Sequence, residues 1–218
     1  MQSNIRPQRS SFLLAAALLV AFAEPAHAQL SELKWRLHGG IVQPVGTGNE
    51  YFSLGPSVAV DAALPVTDKV DLLLDLGWDY VNTDDHNPTP VTNLWRYRVE
   101  LEGALMGERD EGLSVHAFAG AGATTFYSHK FYLVSRQPYT FDGERLRGTS
   151  LTGTGGLRLG MGAPDGIKWW LTGKVNWTPL NDLNKDALHE LSTNFFQPQG
   201  LEPISSIMAV SITLGVSL

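Results

Sequence analysis

Acidic and basic side chains recur at regular intervals in two neighbouring stretches of the sequence. The charged positions are Asp71, Asp75, Asp79, Arg96, Arg98, Glu100 and Glu102. Carboxylates and guanidinium groups that are held close together form strong, charge-assisted hydrogen bonds. A row of such groups could also form a gated path for protons or ions. Either kind of chemistry requires structural elements that present these side chains on one face.

The first stretch alternates between apolar and acidic residues, which predicts a β-strand. Between Val70 and Tyr80 the even-numbered residues are all apolar, and three of the odd-numbered residues are aspartates. A helix would also bring the aspartates together, but it would wrap the apolar residues all round them. The stretch from Leu94 to Leu105 alternates in the same way. We therefore expect two strands, each with one apolar and one charged face.

The same alternation assigns twelve charged residues to the polar faces of the predicted strands. The acidic set is Asp61, Asp71, Asp75, Asp79, Glu100 and Glu102, and the basic set is Arg36, Arg96, Arg98, Arg158, Lys168 and Lys174. An unpaired buried charge costs several kcal/mol, so equal numbers of both signs are expected where charges pair inside a narrow barrel. We therefore predict a network of ion pairs that fills the interior, with His38 and His116 beside it.

Eight strands with this alternation can be placed between residues 33 and 218. They are predicted at about 33–43, 54–64, 70–80, 94–105, 113–126, 149–162, 167–177 and 204–218. The links at about 44–53, 82–93, 127–148 and 178–203 are long, and those at 65–69, 107–112 and 163–166 are short and rich in turn residues. Long and short links alternate, as in outer-membrane barrels with long external loops and short periplasmic turns. The predicted fold class is all-β, an eight-stranded antiparallel up-and-down transmembrane β-barrel.

Aromatic residues near the strand ends favour a membrane barrel over a soluble one. They lie on the apolar faces and are Trp78, Tyr80, Trp95, Tyr97, Trp169 and Trp177. Amphipathic rings prefer the two interfaces of a membrane. The alternative is that these rings close the mouth of a soluble, lipocalin-like barrel.

The first 28 residues are typical of an export signal. Arg6 and Arg9 precede an apolar run from Phe12 to Ala23, and small residues lead to an expected cleavage after Ala28. Residues 29–218 then form one barrel domain. Without Arg6, Arg9 and Glu24 the totals of 16 basic and 22 acidic residues become 14 and 21, a net charge of -7. This balance argues against nucleic acid as a partner, and the absence of cysteine excludes disulfides and thiolate sites.

The alternation, the aromatic positions and the closing strand Met208 to Leu218 resemble the small OmpA/OmpX-type outer-membrane barrels of Gram-negative bacteria, including opacity-like surface proteins. The resemblance covers residues 29–218 and implies an outer-membrane location and recognition by the outer-membrane assembly machinery. Members commonly end in an aromatic residue, whereas this chain ends in Leu218. An eight-stranded barrel is only wide enough for its own side chains, so a large pore is not expected.

Some barrels of this architecture are lipid A deacylases with a His-x-Ser pair near the end of the seventh strand and a glutamate downstream. The matching residues here are Asn176-Trp177-Thr178, with Glu190 downstream. Asparagine cannot act as the general base for a hydroxyl nucleophile. We therefore expect no enzyme activity of this type, no cofactor and no metal.

The third long link combines four basic residues with several aromatic ones. The basic residues are Lys130, Arg136, Arg145 and Arg147. Such residues could bind the phosphates of lipopolysaccharide. The expected function is a non-catalytic envelope component whose loops contact lipopolysaccharide or other surface partners. The alternatives are a lipid A acyl hydrolase and a soluble periplasmic ligand binder.

Three weaker features have both structural and functional interpretations. Leu183 to Leu191 has helical spacing over the predicted barrel mouth, and Asp84-Asp85-His86 could bind a cation or form a solvated tip. Small residues on the apolar faces of the fifth and sixth strands predict a shallow groove for an acyl chain or another subunit, or serve to ease strand curvature. These residues are Ala117, Ala119, Ala121, Gly153 and Gly155.

Overall fold

In the computed structural model, the described residues form ten antiparallel strands, eight of which make a closed barrel. The described residues are 33–46, 52–82, 90–107, 112–130, 140–141, 143–145, 147–162, 167–180 and 205–217. The barrel strands are β1 (Lys34–Val45), β2 (Gly55–Thr67), β3 (Val70–Asn82), β4 (Pro90–Met106), β5 (Leu113–Lys130), β8 (Arg147–Gly162), β9 (Lys168–Pro179) and β10 (Ser206–Ser217). The other two strands, β6 (Thr140–Phe141) and β7 (Glu144–Arg145), form a small separate hairpin.

Each barrel strand pairs with the barrel strands that come before and after it in the sequence. The first strand, β1, pairs with the last, β10, and this pairing closes the barrel. The eight strands predicted from the alternation are confirmed. Their boundaries differ most at β4 and β5, which extend to Pro90 and Lys130, because the alternation of apolar and polar residues fades towards the loops. The hairpin of β6 and β7 was not predicted.

Strand pairing continues around the barrel and returns to β1 at a displaced position. The path starts at Trp35 and passes through Ala62, Leu74, Val99, Ala121, Gly153, Trp177, Met208 and Val45. It returns to β1 at Val45, ten residues beyond Trp35, so the barrel has a shear number of ten. Such a displacement requires strands that tilt by roughly 35–45° from the barrel axis.

The links between strands divide the barrel into two different ends. The links β2–β3, β4–β5 and β8–β9 are short, and their end is called the short-turn end. In the β2–β3 link, the Thr67 hydroxyl accepts a hydrogen bond from the backbone N–H of Val70 at 3.1 Å, which closes a two-residue turn. The opposite end, called the long-loop end, carries the longer links 46–54, 83–89, 131–146 and 180–205.

Within the described ranges, no helix is long and apolar enough to cross a membrane. Residues 1–28, the expected export signal, lie outside the described residues. The same is true of Leu183 to Leu191 and of Asp84-Asp85-His86.

Candidate functional site: a charged interior inside an apolar wall

Alternate residues of each strand point to opposite sides of the barrel wall. On β3, Asp71, Asp75 and Asp79 are buried in the interior, whereas Leu74 and Leu76 are 52% and 55% exposed on the outside. Eleven of the twelve charged residues predicted for the interior are buried there. They are Arg36, Asp61, Asp71, Asp75, Asp79, Arg96, Arg98, Glu100, Glu102, Arg158 and Lys174. Lys168 is half-buried at the short-turn end.

Arg158 on β8 lies at the centre of the interior charges and binds three carboxylates. Its Nη2 donates to Asp61 Oδ2 at 2.8 Å and to Glu100 Oε2 at 3.3 Å, and its Nη1 donates to Glu102. The guanidinium carbon also lies 4.5 Å from the centroid of the Phe118 ring. A side chain that is 1% exposed thus gains hydrogen bonds and a cation–π contact that offset its loss of hydration.

Arg36 on β1 makes a second cluster nearer the short-turn end. Its Nη1 donates to both oxygens of Glu102, at 2.9 and 3.0 Å, and its Nη2 donates to Asp71 at 3.4 Å. Glu102 therefore joins Arg36 and Arg158, and His116 Nδ1 lies 3.4 Å from the same carboxylate. The two clusters form one continuous network.

Lys174 on β9 connects this network to β3 and β4. Its ammonium donates to Asp75 Oδ2 at 2.6 Å and to Glu100 Oε1 at 3.1 Å. Since β3 and β9 are separated by three strands in either direction round the barrel, the bond to Asp75 crosses the full width of the interior. Charges from opposite walls therefore neutralise each other.

Arg96 and Arg98 lie nearer the long-loop end. Arg96 is 3.2 Å from Asp79, and a Cβ at its cross-strand neighbour Gly77 would lie 2.7 Å from the Arg96 guanidinium carbon, so glycine leaves room for this side chain. Arg98 donates to Asn176 Oδ1 at 2.6 Å. Asn176 was not predicted to join the interior network, because its amide side chain carries no charge.

Trp170 fills part of the barrel interior at the short-turn end, and this role was not predicted from the sequence. Its ring is 2% exposed and lies beneath Arg36 at 4.3 Å and Lys168 at 4.7 Å from the ring centroid. The indole N–H donates to Ser217 Oγ at 2.6 Å. The sequence did contain a signal for this position, because Trp170 is four residues before Lys174 and therefore shares its strand face.

Apolar side chains close the interior at the long-loop end, in contrast to the charged middle. This cluster, here called the apolar plug, comprises Val42, Phe52, Val81, Leu94, Phe126, Leu180, Ile207 and Ala209. All are at most 6% exposed. Phe52 and Leu180 come from two of the long links, so the plug could not be read from the strand pattern alone. An ion path through the charged interior would be blocked at this plug.

The outer wall is apolar and carries aromatic residues near both ends. Of the six predicted aromatic residues, Trp95, Tyr97, Trp169 and Trp177 are about half exposed, and Trp78 and Tyr80 are less so. Trp35 also faces outwards and is about half exposed, and it was not predicted. Trp35 and Trp169 lie at the short-turn end, and Trp78, Tyr80, Trp95 and Trp177 lie towards the long-loop end.

The four basic residues predicted to contact lipopolysaccharide do not share one structural element. Arg147 begins β8 on its outward face and is exposed, directly across from Tyr127. Arg145 is exposed in the small hairpin, where it pairs with Thr140. Lys130 ends β5, with a side chain outside the described part, and Arg136 lies outside the described residues.

The residues that correspond to a deacylase pair face the interior of the barrel. Asn176 and Thr178 are 4% and 5% exposed, and only Trp177 between them faces outwards. Asn176 Oδ1 accepts hydrogen bonds from Arg98 and from the Thr154 hydroxyl. These two side chains are therefore not positioned to meet a lipid substrate at the outer wall.

The small residues on β5 and β8 do lie side by side on the outer wall. Ala121 faces Gly153 and Ala119 faces Gly155 across the strand pair, and a Cβ at Gly153 would meet nothing within 4 Å. Ala117 continues the row towards the short-turn end and faces Leu157. The wall is consequently thinner here than on β3 and β4, where leucine and aromatic side chains project.

The fold and its two surfaces define a closed eight-stranded barrel with a charged interior and an apolar exterior. Neither a protein-family model nor a curated protein sequence matches the chain. Among solved structures, it is similar to Neisserial surface protein A (NspA), with a TM-score of 0.53 and 8% identity, over 85% of this chain and 96% of NspA. This likeness shows the fold.

Two further solved structures resemble the chain less closely. The N-terminal β-barrel domain of Pseudomonas aeruginosa OprF has a TM-score of 0.41 and 9% identity, over 85% of this chain and 97% of that domain. Ail, the attachment invasion locus protein of Yersinia pestis, crystallised with the heparin analogue sucrose octasulfate, has a TM-score of 0.43 and 9% identity, over 85% of this chain and 99% of Ail. All three are eight-stranded outer-membrane barrels.

Proposed function

We propose that the protein is an integral outer-membrane barrel of the small OmpA/OmpX type that acts as a non-catalytic surface component. The observation that carries the proposal is the outward orientation of the apolar residues around a charged interior. Leu76, Leu101 and Leu214 are more than half exposed on the wall, although burying such side chains in an apolar medium is worth roughly 1.5–3 kcal/mol each. A lipid environment buries them without any partner protein.

Two outward tryptophans on one strand are separated by a distance comparable to the height of an outer-membrane apolar band. Trp169 and Trp177 both face outwards on β9, eight residues apart. At about 3.3 Å per residue this is about 26 Å along the strand, and the tilt reduces it to about 20 Å along the barrel axis. The apolar band of outer-membrane barrels is about 25 Å tall, with aromatic residues at both edges.

A soluble ligand-binding barrel would need the opposite arrangement. Its interior would be apolar to receive a ligand, and its exterior would be polar to remain dissolved. Here Asp61, Glu100 and Arg158 fill the middle of the interior. This charged interior therefore favours a membrane barrel over a lipocalin-like ligand binder.

The membrane proposal is tested by fractionation and electrophoresis. The full chain, expressed in a Gram-negative host, should stay with outer membranes after a high-salt wash. It should also migrate faster in detergent gels before boiling than after, as a closed barrel does. Recovery of a monomeric, detergent-free protein in the periplasm would overturn the proposal.

The orientation can be tested with single cysteines, because the chain contains none of its own. Glu144→Cys lies in the exposed hairpin at the long-loop end, and Asp68→Cys lies in an exposed short turn. We expect a membrane-impermeant maleimide to label Glu144→Cys on intact cells, and Asp68→Cys only after the outer membrane is permeabilised. If only Asp68→Cys were labelled on intact cells, the barrel would have the opposite orientation in the membrane. N-terminal sequencing of the same samples tests cleavage after Ala28.

The proposed partners are lipopolysaccharide at the outer surface and the outer-membrane assembly machinery during insertion. Arg145 and Arg147 are exposed at the long-loop end, where guanidinium groups could bind lipid phosphates in a bidentate manner. The double variant Arg145→Gln/Arg147→Gln should retain less lipopolysaccharide on purification than wild type. Lys69→Gln, at the short-turn end, is the matched control. Equal retention by all three would exclude this contact.

The non-catalytic part of the proposal is supported by the inward orientation of Asn176 and Thr178. Lipid A from cells with and without the gene should carry the same acyl chains by mass spectrometry. Loss of an acyl chain that depends on the gene would instead favour a lipid A hydrolase.

A further inference from the structure

A small cavity lies within the charged middle of the barrel. Its lining residues are His38, Ala59, Asp61, Asp75, Arg96, Arg158, Thr172, Lys174, Ser211 and Thr213. The enclosed space is sufficient for about one water molecule. The cavity is therefore too small for an organic ligand.

Two carboxylates face each other at this cavity. Asp61 and Asp75 are directly opposed in the pairing of β2 with β3, and both are 0% exposed. Like charges in directly opposed positions destabilise a strand pair. One oxygen of each is neutralised, because Arg158 binds Asp61 Oδ2 and Lys174 binds Asp75 Oδ2.

The second oxygen of each carboxylate has no hydrogen-bond partner among the described residues. The same holds for the Thr172 hydroxyl, which is 2% exposed and also lines the cavity. Leaving a buried polar atom without a hydrogen-bond partner destabilises the fold, and a charged group does so more than a neutral one. Other lining residues also have buried atoms without a hydrogen-bond partner, namely His38 Nδ1, Arg96 Nε and Arg158 Nε. This concentration of unpaired polar atoms at one cavity indicates a bound species that forms hydrogen bonds with some of them.

The chemistry of the lining residues selects a neutral occupant. An anion would meet Asp61 and Asp75, and an extra cation would lie beside Arg158 and Lys174, which already neutralise them. In the described part of the chain, no group of three or more His, Cys, Asp or Glu residues could hold a metal ion. Water is neutral, fits the space and has two donors for the two carboxylate oxygens.

We propose that one water molecule is bound in this cavity as a permanent part of the barrel. It donates one hydrogen bond to Asp61 Oδ1 and the other to Asp75 Oδ1, and it accepts one from the Thr172 hydroxyl. The water thereby bridges the two opposed carboxyl groups in the interior. This inference depends on the interior geometry and is independent of the partners proposed above.

The direct test is a high-resolution crystal structure of the full barrel in detergent, with a second crystal soaked in rubidium chloride. We expect one density peak within hydrogen-bond distance of Asp61 Oδ1 and Asp75 Oδ1, without anomalous signal from rubidium. An empty cavity with the two carboxyl groups in direct contact would overturn the proposal. A rubidium signal would replace the water with a monovalent cation and would also overturn it.

Thr172→Val adds a solution test, because valine retains the shape of threonine and removes the hydroxyl. We expect the folded barrel to keep its heat-dependent gel migration but to lose occupancy of the water peak and to unfold at lower urea concentration. Thr125→Val, on the outer wall, removes a hydroxyl that faces away from the cavity and is the matched control. If the two variants have equal urea midpoints and the peak is unchanged in Thr172→Val, the proposed role of this hydroxyl is wrong.

Discussion

Lys174 on β9 donates a hydrogen bond to Asp75 on the opposite strand β3, with 2.6 Å between Nζ and Oδ2. This bond joins the two halves of the barrel wall through its interior. Both residues are almost completely buried, so each charge depends on the other for its stability.

Replacing Lys174 with methionine should destabilise the barrel strongly. The variant leaves Asp75 without its cation, and loss of one partner of a buried ion pair costs roughly 3–5 kcal/mol. Urea unfolding in lipid vesicles, followed by tryptophan fluorescence, measures the change. Lys69→Met in an exposed turn should stay within about 0.5 kcal/mol of wild type. A wild-type midpoint for Lys174→Met would show that the cross-barrel pair contributes little.

Replacing Arg158 with methionine should be more severe, because Asp61, Glu100 and Glu102 lose the cation that they share. We expect little heat-modifiable barrel at neutral pH. Refolding should improve at acidic pH, since protonated carboxyl groups no longer need a cation. Arg158→Lys should be intermediate, because a lysine keeps the charge but not the planar set of donors. The yield of the fast-migrating form across pH distinguishes these outcomes.

A charge introduced on the outer wall should destabilise the barrel more at the middle of the bilayer than near its surface. Leu74 lies midway along the outward face of β3, whereas Leu113 begins β5 at the short-turn end. Leu74→Arg should cost about 2–4 kcal/mol in a bilayer, and Leu113→Arg about 0–1 kcal/mol. Unfolding free energies in vesicles test the difference. Equal costs would contradict the assignment of this wall to the lipid.

Removing aromatic side chains from the apolar plug should destabilise the barrel without opening it. Wild type should show no steady conductance in planar bilayers, and Phe52→Ala/Phe126→Ala should also be non-conducting, because charged side chains still fill the middle of the interior. The variant should be less stable by several kcal/mol, since each truncated core phenylalanine costs about 3–5 kcal/mol. Leu151→Ala, at a position 79% exposed on the outer wall, is the control. Steady conductance of the wild-type barrel would show that the plug does not seal the interior.

The strand pattern predicted most of the architecture because it is a local property. Asp71, Asp75 and Asp79 share a face whatever surrounds them, since successive side chains of a strand point to opposite sides. The eight strands and the alternation of short and long links followed from this rule. The small hairpin of Thr140 and Arg145 did not, because two-residue strands show no alternation.

The interior contacts were predictable only in part. Equal numbers of acidic and basic residues predicted pairing, but not that Arg158 would bind Asp61 and Glu102 together. The roles of Trp170 and Asn176 were missed because neither is charged. The apolar plug was missed because Phe52 and Leu180 enter from links that have no periodic pattern.

The sequence by itself thus determined which residues face each side of the wall, because the two-residue repeat acts within a single strand. The tertiary structure alone decided which charges meet, that Asp61 and Asp75 border a shared cavity, and that the long-loop end is closed. The physical reason is distance along the chain. Lys174 and Asp75 come together only after closure between β1 and β10 fixes the shear and brings opposite strands to the same height.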